Sequence, residues 1–201
     1  MFVNRARINA NGFNEEIRLP YALRLEMFAI AMEDIYEMLH NVNTGLVDRG
    51  LLPFENSVRG AIYSGMLSDL LTEAMANHAG GLVKNRASNG HPDLLPAGHF
   101  AGDAAPSAEE GVEIKVTKKE SGAVDMHSDR PAWYCIFRYV ADYETEPVVD
   151  REPTRFTNIW LARLDESHFR KNERGPRGTR TATPDRGGLE HLHANWIYRD
   201  L

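Results

Sequence analysis

Two carboxylates and one ammonium group stand out in the middle of this chain. In the stretch "EEGVEIKVTKKE", residues 109 to 120, Glu113 and Lys115 sit inside a run of Val and Ile that reads as a buried strand. A charge buried without a partner costs several kcal/mol, so the pair needs a reason to be there. Alternate side chains of a strand share a face, so Val112, Ile114 and Val116 point one way while Glu113, Lys115 and Thr117 point the other. Earlier in the chain, "HPDLL" puts Asp93 at the start of another short strand. With the two strands adjacent in one sheet, Asp93, Glu113 and Lys115 converge. Paired carboxylates offer the oxygen ligands that a hard cation such as Mg²⁺ prefers.

Pro92-Asp93 followed by Glu113-Ile114-Lys115 resembles the PD-(D/E)xK nuclease superfamily, which includes most type II restriction endonucleases. The resemblance covers roughly residues 80 to 140, and the remainder only in broad outline. Lys115 is the only one of five lysines with an acidic residue two positions before it, whereas the second Pro-Asp, Pro184-Asp185, has no lysine after it. The resemblance implies that Asp93 and Glu113 hold Mg²⁺, an ion that keeps several waters and bridges to a phosphate. It implies that Lys115 orients or polarises the attacking water and stabilises charge developing at phosphorus. The reaction so implied is in-line hydrolysis of a phosphodiester in double-stranded DNA, sequence-specific, leaving 5′-phosphate and 3′-hydroxyl ends.

Members of that superfamily often supply another acid from a helix that precedes the Pro-Asp strand. A helical run from about residue 53 to 77 is present, and Val58, Ile62, Met66, Leu70 and Ala74 sweep its apolar face. Asp69 and Glu73 fall within that arc. Glu73 is the expected additional metal-site acid, with Asp69 as the alternative and a salt bridge, such as one to Arg59, as the non-metal reading.

Nucleic-acid contacts are expected from two places. Lys118, Lys119 and His127 follow the lysine strand and would lie near the scissile phosphate in a restriction-type enzyme; a solvated hairpin tip is the plainer reading. Between His168 and Arg186, six basic residues stand against two acidic ones. Arg174, Arg177 and Arg180 of that stretch can engage phosphates or guanine edges in the major groove. Arg138, amid "CIFRYV", faces either the substrate or a buried ionic partner. His191, His193 and Asn195 in "EHLHANW" lack the strand-turn-helix context and zinc cysteines of a histidine-asparagine nuclease site.

The elements that must position these groups follow from periodicity and breakers. Residues 21 to 40 and 53 to 77 read as helices, the second stopping at Gly80-Gly81. Short strand-like runs follow: "HPDLL", "GVEIKVTK", "AWYCIFRYVA" and "RFTNIWLARL", with a further helix near the end. The pattern predicts an α/β or α+β fold, a central mixed sheet of about four to five strands flanked by helices, restriction-endonuclease-like. A single domain over 1–201 is expected: a mainly helical part at 1–80, the catalytic sheet at 81–165, and an Arg-rich loop with a C-terminal element at 166–201.

The 201 residues suffice for one good core, and 42% apolar with 26% charged residues excludes wholesale disorder. The lone cysteine, Cys135, excludes an intrachain disulfide and a cysteine-built zinc site within one chain. No signal-peptide core or bilayer-length apolar stretch is visible, so a soluble cytoplasmic protein without a membrane partner is expected. A net charge of −6 argues mildly against a polyanionic partner, which leaves such binding to local basic patches. A restriction-type enzyme of this size would act as a homodimer on a palindrome. A non-catalytic DNA-binding module on the same scaffold, or a nuclease of repair, recombination or RNA processing, are the competing readings.

Overall fold

The computed structural model describes residues 3–126, 129–172 and 181–200. Tyr21 and Ala22 both take positive φ, a left-handed turn that holds off helix α1 until Leu25 and lets it run to Val47. The second helical run is broken: α2 covers Phe54–Ser57, Val58 and Arg59 are extended, and α3 covers Gly60–His78. Its stop falls just before Gly80 and Gly81. A side chain at Gly81 would meet the carbonyl of Tyr21 at 2.3 Å, so glycine lets these two segments touch.

Six strands form the main sheet, in the order β1 (Leu82–Lys84), β2 (Leu94–Pro96), β3 (Val112–Thr117), β4 (Ala132–Val140), β5 (Arg155–Leu164) and β8 (Trp196–Arg199). All neighbours are antiparallel except β3 and β4, which makes the sheet mixed. The fold is thus α+β with helices on the sheet. The sequence pattern predicts four to five strands, and the count is higher because three- and four-residue strands such as β1 and β8 are too short to show alternation. Likewise, the stretch expected as one long loop carries β6 (Phe169–Asn172) and β7 (Thr181–Pro184), paired as a separate two-stranded sheet, and the start of α4 (Arg186–Ala194).

β4 reads as an apolar run, interrupted only by Arg138, because both of its faces are covered. Cys135, Phe137 and Tyr139 enter a large core with α1 and α3, where Phe28, Tyr36, Tyr63 and Leu67 are fully buried. Ala132, Tyr134 and Ile136 enter a smaller core on the other face, closed by Val124 and Met126 of the β3–β4 connection, Phe169 and Ala182 of the hairpin, and Leu192 of α4. Burying a Phe or Leu side chain in such a core stabilises the fold by about 1.5–3 kcal/mol. Among the described residues, no helix is long and apolar enough to cross a membrane.

Candidate active site

β2 and β3 touch through one register pair, Leu94 opposite Val112. Asp93 and Glu113 are the next residues outward on each strand, so antiparallel pairing brings them together on the face opposite Leu94 and Val112. Gly111 makes this approach possible. It sits at φ +123°, and a Cβ there would fall 2.0 Å from the Leu94 carbonyl oxygen and 2.7 Å from Pro92 Cγ. The segment carrying Asp93 is pinned by Asn85, whose backbone N–H donates to the Asp93 carbonyl at 2.8 Å and whose Nδ2 donates to the Pro92 carbonyl at 2.9 Å.

Beyond this pair β2 leaves, and the Asp93 carboxylate takes over its bonding role: the Ile114 N–H donates to Asp93 Oδ2 at 2.8 Å. Glu113, buried in the sheet, accepts the Asp93 N–H at Oε2 over 3.2 Å, and Lys115 donates to its Oε1. Lys115 Nζ also lies 3.8 Å from Asp93 Oδ2. One ammonium therefore serves two carboxylates. Asp93, Glu113 and Lys115, separated in sequence, form one cluster.

The charges in this cluster shift one another. Burial, reinforced by the Glu113 charge, pushes the Asp93 carboxyl up to about 6. Burial also disfavours ionised Glu113, but the His91 hydrogen bond and the Lys115 charge outweigh it and hold Glu113 down at about 2. Burial alone would lower Lys115, yet Glu113 and Asp93 prevail and raise it, so the side chain is an ammonium that donates and cannot serve as a base.

The cluster opens into a cavity of about 940 Å³ bounded on one side by α3. There α3 presents Ala61, Ser64, Gly65, Ser68 and Thr72, residues small enough to leave room, and Ser68 Oγ ties the helix to β3 by donating to the Ile114 carbonyl at 2.8 Å. Asp125, Met126 and Arg130 of the β3–β4 connection line the cavity too. The hairpin braces that connection through two Met126–Ala182 backbone bonds, of 2.8 and 3.0 Å, and through Thr183 Oγ1 to Asp125 at 3.0 Å. In the lining, Lys84, Lys115 and Arg130 face four carboxylates, Asp69, Asp93, Glu113 and Asp125. A polyanion entering here meets an acidic surface unless a cation accompanies it.

Glu73 is not part of the cavity. It is exposed and ion-paired with Lys84 at 2.7 Å, not with Arg59. The reason is the facing of α3: its buried stripe is Tyr63, Leu67, Leu71, Ala74 and Met75, whereas Val58 precedes the helix and Ile62 is 49% exposed. The apolar arc inferred from sequence is rotated away from the true one, and Asp69 rather than Glu73 lines the cavity. Lys118 and Lys119 are exposed just beyond β3 and outside the lining. Arg138 is half-buried and donates to Thr157 Oγ1 at 2.7 Å and Asn158 Oδ1 at 3.3 Å. His127, Arg174, Arg177 and Arg180 lie outside the described residues.

No group of three or more His, Cys, Asp or Glu side chains arranged to hold a metal occurs among the described residues. Mg²⁺ commonly takes one or two carboxylates and completes its octahedron with water and substrate phosphate. The donor set fits that habit. Asp93 Oδ1 accepts no hydrogen bond among the described residues, and Glu113, which accepts from the Asp93 N–H and Lys115 and lies 2.9 Å from His91 Nδ1, keeps part of its accepting capacity free.

Sequence reasoning passed over His91, whose Nδ1 lies 2.9 Å from Glu113 Oε2. Alternation could not have found it, because residues 91–93 are bends and β2 begins only at Leu94. Asn85, Asp125 and Arg130 carried no signal either, because loop residues reach the cavity through the fold alone. No family model, curated protein or solved structure matched this chain.

Proposed function

We propose that this protein is a Mg²⁺-dependent endonuclease of the PD-(D/E)xK type that hydrolyses phosphodiester bonds of double-stranded DNA at specific sequences, leaving 5′-phosphate and 3′-hydroxyl ends. The observation that carries the reading is the meeting of Asp93, Glu113 and Lys115 at the wall of one large cavity. Asp93 and Glu113 would hold the ion, which when bound supplies Lewis-acid polarisation of the phosphate and an acidified water.

The chain's own groups do the rest. Lys115, kept as an ammonium by its two carboxylates, donates to the attacking water or to phosphate oxygen and stabilises the charge that develops there. The backbone N–H groups of Ile114 and Asp93 fix both carboxylates on the β2–β3 edge, so neither must reorganise during reaction. The small residues of α3 leave space for the sugar-phosphate strand, and exposed Lys118 and Lys119 offer phosphate contacts beyond the cavity. A palindromic target would be cut by a homodimer in the cytoplasm.

The test is incubation of the purified protein with plasmid DNA and Mg²⁺, followed by sequencing of the ends. Discrete fragments support site-specific cleavage. Preference for flaps, ends or junctions would replace it with a repair-type nuclease, and salt-sensitive binding without any product would replace it with a non-catalytic DNA-binding module.

A further inference from the structure

His91 belongs to no ligand set implied for this site, yet it is built into it. Its Nδ1 lies 2.9 Å from Glu113 Oε2, and its side chain is only 12% exposed. The ring rests beside the buried Tyr134, centroids 6.2 Å apart, and Tyr134 is itself held by donating to the Arg130 carbonyl at 2.8 Å. The His91 carbonyl accepts the Ala108 N–H at 2.8 Å, and Asn85 pins the two residues that follow. Both the ring plane and its backbone are thus fixed before any ligand arrives.

The tautomer follows from the neighbours. Nε2 is buried and makes no hydrogen bond among the described residues. A proton on Nε2 would leave a buried donor without an acceptor and set the Nδ1 lone pair against a carboxylate oxygen. A proton on Nδ1 satisfies Glu113 and leaves at Nε2 only an unused lone pair, the cheaper of the two arrangements. Glu113 is then gripped at Oε2 by His91 and the Asp93 N–H, which turns Oε1 toward Lys115.

We propose that His91 is a positioning residue: its Nδ1–H locks the Glu113 carboxylate in the orientation that presents Oε1 to a divalent cation beside Lys115. This rests on the nuclease reading of the site. Donors in this role orient metal ligands, and their loss commonly costs about 10–100-fold in metal affinity.

Mn²⁺, which takes the same oxygen ligands as Mg²⁺, is the probe, with free Mn²⁺ counted by electron paramagnetic resonance in the absence of DNA. His91→Ala is expected to weaken binding about 10–100-fold, and His91→Asn, whose side-chain amide places an N–H where Nδ1 stood, to restore most of it. His91→Phe keeps the ring beside Tyr134 without the donor and should resemble His91→Ala. Nitrogen-15 spectra of the wild-type imidazole, which need no variant to fold, should report the Nδ1–H tautomer. An Nε2–H tautomer, wild-type Mn²⁺ affinity in His91→Ala, or a wild-type protein that binds no Mn²⁺ overturns the role. A wild-type protein that binds Mn²⁺ as expected but cuts no DNA overturns the nuclease reading instead, and the two failures are distinct.

Discussion

At the scale of single residues the site is under tension between charge and burial. Asp93 is the member whose ionisation the metal-free fold resists. Its folded-state carboxyl lies near 6, above the ordinary value, so its contribution favours the fold at low pH and is lost as pH rises through about 6. Above that pH, Asp93→Asn should therefore stabilise metal-free protein, by about 1–2 kcal/mol, while abolishing cleavage. The Asn side chain can still accept the Ile114 N–H, so the fold keeps that bond. Thermal unfolding in EDTA at pH 7.5 or so reads the first effect, and an unchanged or lower melting temperature would contradict it. Glu73 behaves oppositely. Its half-exposed bridge to Lys84 is of a kind worth about 0–1 kcal/mol, so Glu73→Gln should leave cleavage within about twofold of wild type, measured on the same plasmid.

At the scale of elements, the site depends on how closely β2 approaches β3. Gly111 at φ +123° is the hinge of that approach, and Gly111→Ala would drive a methyl into the Leu94 carbonyl. The cost of strained backbone and forced separation is at least about 2 kcal/mol. Urea unfolding should show that loss, together with loss of cleavage, because Asp93 and Glu113 move apart. The same elements show what a sequence can reveal. "GVEIKVTK" is legible because six residues of alternation fix which side chains share a face: Val112, Ile114 and Val116 enter the large core, while Glu113 and Lys115 meet at the cavity. The facing of α3 is not legible, because Ile62, Met66 and Leu70 compete with Tyr63, Leu67 and Leu71 as apolar rows, and only packing against β3 and α1 selects one. β1, β6, β7 and β8 were missed because their pairing partners, not their own pattern, make them strands. His91 carries no periodic signal, because the bends at residues 91–93, not a strand, bring its ring to Glu113.

Over the whole molecule, an acidic protein of net charge −6 is proposed to bind a polyanion. The cavity lining is itself acidic, so a divalent cation is the natural intermediary between Asp93, Glu113 and a phosphate. The layered fold supports that arrangement: α1 and α3 back one face of the sheet, while the hairpin and α4 brace the other, next to the connection that closes the cavity. The most direct measurement is single-turnover cleavage of supercoiled plasmid by wild type and Lys115→Ala, each with Mg²⁺ and with EDTA. Wild type with Mg²⁺ should yield discrete fragments bearing 5′-phosphates, EDTA should abolish them, and Lys115→Ala should be slower by about 10²–10³-fold. Intact plasmid under every condition, or equal cleavage by Lys115→Ala, would contradict the account.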